Sequence, residues 1–490
     1  MSDLHLPISE AKANGAYYTP HLVANLLVRY AVRRPTDQLL DPACGDGRFI
    51  ALHEKSVGVE RDDLAADHAS ERAPLADVHR ADFFGWALKT QNRFDCAAGN
   101  PPFIRYQVFA GDVRKRALQA CRELGVRFSG LTASWAPFLV VTASLLRPGG
   151  RLAFVVPAAI GHAPYAAPLI EYLVGHFDTI RIVAVRKKIF SQLSEDCWLL
   201  LADGFSGTTQ HIQFDAIDYL GDSLQSNSTR LVAVDDWRNS WNSRLRPFLL
   251  SASERTSYLK IATAKQTVRL ADISNIGIGY VTGANDFFHL KPSEARRWNI
   301  PNIFLQPTVR RGNVLRNQVL TKETVDAWCK ADESVLLLSI PKTDKLPRSV
   351  KKYLESPRGL EARAAYKCRN RTPWYSVPDI RVPDFFLNYM SGQAPSVVRN
   401  AAGISCTNAI HAVDVNSVRS RKRLVRCWDT TFTKLSCEVE GHPLGGGMLK
   451  LEPREAGRVA LSSDSNLLNH CEPTLLDALS KIRKWRHCDE

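Results

Sequence analysis

No stretch of this 490-residue sequence is apolar for long enough to cross a bilayer. The longest, Trp135 to Leu146, falls short of the about 20 residues that a spanning helix needs, and it contains Pro137. Residues Met1 to Glu10 are polar and lack the apolar core of a signal peptide. The 11 cysteines are odd in number, with no C-x-x-C pair and no Cys/His cluster at zinc spacing. That pattern excludes a disulfide scaffold and a structural zinc site. It leads us to expect no metal, no membrane and a reduced, cytoplasmic setting. A G-x-x-x-x-G-K-[ST] phosphate cradle is missing as well, which argues against ATP. Internal repeats and low-complexity tracts are absent.

What the sequence has in excess is positive charge. Sixty-four Lys and Arg face 50 Asp and Glu, for a formal net charge of +14. Such a balance favours a polyanionic partner, because each phosphate neutralised by Lys or Arg releases counterions. Nucleic acid is the expected class. The length exceeds what one core accommodates, so two domains are expected, with a boundary near residue 220.

The first half alternates short strands and helices. Asp37 to Leu40 leads into a strand end, Asp41-Pro42-Ala43-Cys44-Gly45-Asp46-Gly47 makes a tight turn, Arg48 to Lys55 is a short helix, and Val57 to Glu60 is a second strand. Further strands are expected at 94–98, 151–156, 179–185 and 197–202. A helix over 132–146 is predicted to end at the turn Arg147-Pro148-Gly149-Gly150. Alternation of this kind predicts a doubly wound, mainly parallel α/β sheet. After Gly207 polar residues become frequent and helices are expected to be fewer, with Ser223 to Arg244 as a linker or insertion.

Three strand ends carry candidate ligand groups. In the turn from Asp41 through Ala43, Cys44 and Gly45, glycines let the backbone approach a bound molecule, and Asp41 is suited to an ammonium group. Glu60 lies 19 residues after Asp41, at the end of the next strand, where an acid can accept from both hydroxyls of a ribose. Asp82 can accept from an adenine amino group while Phe83 covers the ring face. With no second phosphate cradle, a nucleoside without phosphates suits this set better than NAD.

Asn100-Pro101-Pro102-Phe103 follows the strand 94–98. The exocyclic amine of adenine is a poor nucleophile, because its lone pair is delocalised into the ring. An Asn side-chain oxygen and a Pro carbonyl can hold its two hydrogens and favour a tetrahedral nitrogen. Two prolines stiffen the loop and deny it backbone donors, so the acceptors are pre-positioned. Phe103 is placed to stack on an extruded base.

This order of motifs resembles the gamma-class, TaqI-like adenine-N6 DNA methyltransferases of restriction-modification systems. The resemblance implies S-adenosyl-L-methionine as cofactor, double-stranded DNA as partner and a separate cognate restriction endonuclease. It also implies a Rossmann-like methyltransferase sheet over 1–220 and a C-terminal mixed α+β target-recognition domain over 221–490. Gly15-Ala16-Tyr17-Tyr18-Thr19-Pro20 is similar to the family's N-terminal motif, which puts Thr19 and Pro20 beside the methionine part of the cofactor. Leu145 to Pro157 resembles the family strand that ends in V-V-P. Ile189-Phe190-Ser191-Gln192 resembles a later motif whose aromatic residue, here Phe190, stacks on the other face of the adenine. The short gap between the glycine turn and Glu60 departs from the family and implies a trimmed first helix.

A cytosine-C5 enzyme needs a Cys nucleophile, usually in Pro-Cys, and no Pro-Cys occurs here; Cys44 reads as packing. Protein glutamine-N5 methyltransferases also use such a loop, but they are shorter and lack a large basic second domain; an RNA amino-methyltransferase is a second alternative. Basic segments that could meet DNA are Arg105 to Arg127 (with Arg114, Lys115 and Arg116), Arg310 to Asn313, Arg369 to Tyr375, Arg419 to Arg423 and the tail Lys481 to Arg486.

Overall fold

Near-continuous apolar runs mark the strands of the first half, the pattern of a sheet covered on both faces. In the computed structural model the described residues are 19–190, 195–224, 229–315, 317–343 and 345–488. The chain divides into two compact units, Met1–Leu249 and Leu250–Glu490.

The first unit is built from α1 (His21–Ala31), β1 (Leu39–Asp41), β2 (Ser56–Glu60), α2 (Asp63–Arg72), β3 (Asp77–Arg80), α3 (Phe83–Ala87) and β4 (Phe94–Gly99). It continues through α4 (Gly111–Glu123), α5 (Trp135–Ser144), β5 (Leu146–Pro157), α6 (Ala166–Val174), β6 (Phe177–Val185), β7 (Cys197–Phe205), β8 (His211–Ile217), β9 (Arg230–Ala233) and α7 (Val234–Asn239). Its described strands form one sheet in the order β3-β2-β1-β4-β5-β7-β6-β8-β9. β3, β2, β1, β4 and β5 are mutually parallel, while β7 runs antiparallel to both β5 and β6. The chain leaves β1 towards β2 and β3, then returns to β4 on the other side. That reversal opens the crevice in which doubly wound sheets bind ligands.

The α/β expectation holds, with local differences. The helix expected over Arg48 to Lys55 is a single 3-10 turn, Ile50–Leu52. The Arg147–Gly150 turn lies inside β5, where pairing with β4 shifts register between Phe94 and Cys96. Pro137 sits in the first turn of α5, where its missing N–H breaks no helical bond. Residues 229–244, expected within a linker or insertion, are built into the unit: β9 pairs with β8, and Val234, Trp237 and Trp241 are buried.

The second unit holds described sheets of five, four, three and two strands. Helices are not scarce in it. They include α8 (Ala252–Ala262), α9 (Arg348–Leu354), α10 (Pro357–Ala364), α11 (Tyr366–Arg369), α12 (Val418–Cys427), α13 (Thr431–Glu440) and α14 (Ser465–Lys484). Their number corrects the expectation of a helix-poor half and makes the unit mixed α+β.

Candidate active site

Every candidate site residue lies in the first unit: most follow the carboxyl ends of β1, β2, β3, β4 and β6, and Thr19 and Pro20 precede α1. β1 ends at Asp41, whose carboxyl is 1% exposed. Its Oδ1 accepts the Ala43 N–H at 3.1 Å, while Oδ2 is buried with no hydrogen-bond partner among the described residues. Burial pushes its pKa up to about 8; the Ala43 N–H opposes the shift, and the Glu60 and Asp46 carboxylates add to it. β4 can pass this close because position 99 is glycine: a Cβ there would lie 2.6 Å from Asp41 Oδ1.

The turn after β1 uses its glycines differently. Gly47 adopts φ +83° against α2, where a Cβ would meet the Ala69 backbone at 2.9 Å. Gly45 adopts φ +53° and faces open space, so the backbone there is free to meet a ligand. Glu60 ties this turn to β2. Its Oε2 accepts the Gly45 N–H at 3.0 Å, and Oε1 accepts those of Arg61 and Asp62 at 2.8 and 2.9 Å. Cys44 is buried, and its Sγ fills the space that Gly58 leaves. Burial drives its thiol pKa far above the ordinary range, so it is no nucleophile.

Two residues that sequence reasoning overlooked organise this corner. Arg48 donates to the Thr19 carbonyl at 3.2 Å and to Asp46 Oδ2 at 3.1 Å, joining the chain entering α1 to the glycine turn. Thr19 is buried there, and Pro20 begins α1. Residues 15–18 lie outside the described residues.

Asn100 follows β4, half-buried, and Pro101 behind it is buried. Ser134, fully buried before α5, is the second overlooked residue. Its Oγ donates to the Pro102 carbonyl and accepts the Ile104 N–H at 3.0 Å, while its own N–H donates to the Ile104 carbonyl at 3.0 Å. The Pro102 carbonyl is thus engaged from behind. A serine at a helix start carries no such signal in sequence. Phe103 packs against the cluster that contains Phe190, together with Val23, Leu27, Val155 and Leu199. The two aromatic residues expected to face each other across a base therefore adjoin one cluster; Ser191 and Gln192 are outside the described residues.

Asp82 caps α3: its Oδ2 accepts the Gly85 N–H at 2.9 Å and pairs with Arg116 at 3.1 Å. Phe83, expected to offer an open ring face, is 3% exposed and stacks on Phe138 at 5.1 Å. It packs inward because α3 lies over the apolar α5.

Several basic residues expected to reach phosphates are engaged within the fold. Arg114 donates to the carbonyls of Tyr106 and Phe109, both at 2.9 Å. Lys115 pairs with Asp112 at 3.2 Å. Arg310 pairs with Asp286 and Arg421 with Asp384. Arg371 donates to the carbonyls of Trp374 and Thr282 and stacks on Phe288. In the tail, Lys481 binds Glu254 at 2.7 Å, and Arg486, 1% exposed, binds the buried Glu438 at 2.8 Å. Some of these partners are local, as for Lys115 and Asp112, while others, such as Glu254 for Lys481, lie more than 200 residues away.

A doubly wound sheet with an acidic turn and an N-P-P-F loop at its carboxyl edge is the architecture of amino-group methylation, and family comparisons narrow the class. The N-6 DNA Methylase family matches residues 5–71, and the Eco57I restriction-modification methylase family matches 53–190. The enzyme is an adenine-N6 DNA methyltransferase. The chain belongs to the family of the type II methyltransferase M.Eco57I, whose C-terminal-domain family matches residues 242–489, just over half of the sequence.

Among relatives, the type II methyltransferase M.AccI of Acinetobacter calcoaceticus is 21% identical over 485 residues, covering 92% of this chain and 86% of that protein. M.TthHB8I of Thermus thermophilus is 30% identical over 166 residues, covering 31% of this chain and 36% of that one. The fold resembles the type IIL restriction-modification enzyme MmeI, solved in complex with DNA. That match has a TM-score of 0.51 and 13% identity, and covers 98% of this chain and 72% of MmeI.

Proposed function

We propose that the chain transfers methyl groups from S-adenosyl-L-methionine to N6 of an adenine flipped out of duplex DNA, within a sequence of its own. The observation that carries this reading is the approach of β4 to β1. It sets the Asn100 loop immediately beside the Asp41–Gly45 turn at the switch point of the sheet.

The residues present fit the cofactor. The buried, unpartnered Asp41 Oδ2 suits an ammonium group, open space beside Gly45 admits a nucleoside, and Glu60 at the end of β2, whose Oε2 accepts only the Gly45 N–H among the described residues, has acceptor capacity left there for a ribose hydroxyl. Asp82, whose two bonds both fall on Oδ2, offers Oδ1 to an adenine amino group. Thr19, Pro20, Ala43 and Cys44 frame the site. S-adenosyl-L-methionine supplies an electrophilic methyl group when bound.

The chain prepares the nucleophile. Asn100 Oδ1 and the Pro101 carbonyl accept the two amine hydrogens and draw the nitrogen out of conjugation, as the gamma-class resemblance implies. Phe103 and Phe190 hold the extruded ring, which compensates for lost stacking. Residues 1–249 then form the catalytic unit and 250–490 the target-recognition unit. A separate endonuclease would read the same site, in a restriction-modification pair acting on DNA in the cytoplasm.

The test is transfer of labelled methyl from S-adenosyl-L-methionine to duplex DNA, with recovery of N6-methyladenine. Asn100→Ala is expected to lower turnover about 100-fold or more while cofactor binding persists. Full turnover in the variant, or label on another atom, refutes the reading.

A further inference from the structure

Half of the formal net charge of the protein is concentrated in 27 residues of the second unit. Between Lys345 and Arg371 nine Lys and Arg face only Glu355 and Glu361, a net +7 of the total +14. Helices α9, α10 and α11 span most of this stretch. Their apolar residues Val350, Tyr353, Leu354, Ala362 and Cys368 are buried in one cluster, so the helices have a fixed inner side.

Two of the nine cations are used internally: Arg358 pairs with Glu294, and Arg371 with backbone carbonyls. The other seven, Lys345, Arg348, Lys351, Lys352, Arg363, Lys367 and Arg369, are exposed. Among the described residues none of them has an ion-pair partner. Like charges left unpaired on one rigid surface repel one another, so their retention favours a polyanion as occupant.

Shape adds to charge. An open cavity of about 570 Å³ lies between Arg363 and Arg369, floored by Arg371, Thr372, Pro373 and Trp374. The Arg369 guanidinium sits 5.5 Å from the ring centroid of Tyr366, itself 68% exposed. Contact with the exposed ring steadies the guanidinium of this cavity-lining residue, whose planar fork can take phosphate oxygens.

We propose that segment 345–371, with this cavity, is a cradle for the phosphates of duplex DNA that positions the double helix without reading its sequence. The proposal deepens the reading of the chain as a DNA methyltransferase and rests on it. Arg363, Lys367 and Arg369 hold the backbone at the cavity rim, and the lysines and arginine of α9 extend the track. Bases are read elsewhere in the unit.

The experiment compares the full chain with a triple variant, Arg363→Gln, Lys367→Gln and Arg369→Gln. A control triple variant, Lys322→Gln, Lys330→Gln and Arg454→Gln, removes equal charge from other exposed positions. Binding to a fluorescent DNA duplex of arbitrary sequence is followed by anisotropy across a salt series, alongside a double-stranded RNA of equal length. Loss of three phosphate contacts makes the plot of log affinity against log salt shallower by about 2 to 3, whereas the control stays near the parent. Equal losses in both triples, a slope change under about 1 in the first, or a loss confined to RNA overturns the cradle. Methyl transfer by the parent to bacterial genomic DNA, which presents many sequences, is measured in parallel and reports separately on the function reading. All substituted residues are exposed, and thermal unfolding confirms that each variant is folded.

Discussion

Replacing Asp41 with Asn is expected to stabilise the first unit while weakening its hold on the cofactor. In the folded chain, burial lifts the Asp41 pKa to about 8, against 3.8 for the free side chain. Between those values the folded state keeps a proton that the unfolded chain releases, so stability falls as pH rises. Each pH unit in that window costs about 1.4 kcal/mol, which accumulates to about 4 kcal/mol at pH 7 and about 2 kcal/mol at pH 5. Asn matches the neutral acid in shape, still accepts the Ala43 N–H through its oxygen and does not titrate, so it removes this loss. For a unit of this size, 4 kcal/mol moves the unfolding midpoint by about 10 °C. Calorimetry of ligand-free parent and variant at pH 5 and pH 7, following the transition of the first unit, measures the gap. A gap that fails to widen with pH, or a variant less stable than the parent at pH 7, refutes the argument. Tension between stability and use is ordinary where a site keeps a buried acid for its ligand.

Two further outcomes concern residues that act at a distance from any ligand. Ser134→Ala removes the donor to Pro102 and the acceptor for Ile104, leaving buried backbone groups unsatisfied at about 1–3 kcal/mol. The catalytic loop then loosens, so kcat should drop about tenfold or more with cofactor affinity little changed; steady-state kinetics with an unaltered kcat would remove Ser134 from its positioning role. Arg486→Leu removes the guanidinium 2.8 Å from the 1%-exposed Glu438, leaves it Arg483 at 3.6 Å, and should destabilise the second unit by about 3 kcal/mol in urea unfolding. Adding Glu438→Leu should restore most of that, and a double variant no better than the single one contradicts the pairing.

The placement of the candidate groups in the first unit was legible because they follow strands at fixed offsets. Asp41, Glu60 and Asn100 each stand at or just past a strand end, and parallel strands bring such ends to one edge. Position after a strand says little about packing, so Phe83 was read as a ligand cover when it belongs against Phe138. Arg371, Lys481 and Arg486 were read as phosphate contacts because a sequence shows a cation without its carboxylate or carbonyl. Glu438 lies 48 residues before Arg486. The stretch 223–244 looked like a linker by composition, yet Val234, Trp237 and Trp241 anchor it. In α12 four arginines and a lysine crowd ten residues, and only Ser420, Leu424 and Cys427 face inward, too thin an apolar stripe to announce a helix.

The Arg486–Glu438 pair also sets an order of events at the ribosome. Every strand of the first sheet is encoded before residue 250, so that half can close while the rest is still being made. The second half must wait. Strand 460–462 arrives late to pair with 267–269, and Glu438 lacks its bidentate partner until Arg486 has emerged. A message broken anywhere short of that codon yields a finished first half tethered to a second that cannot complete its interior.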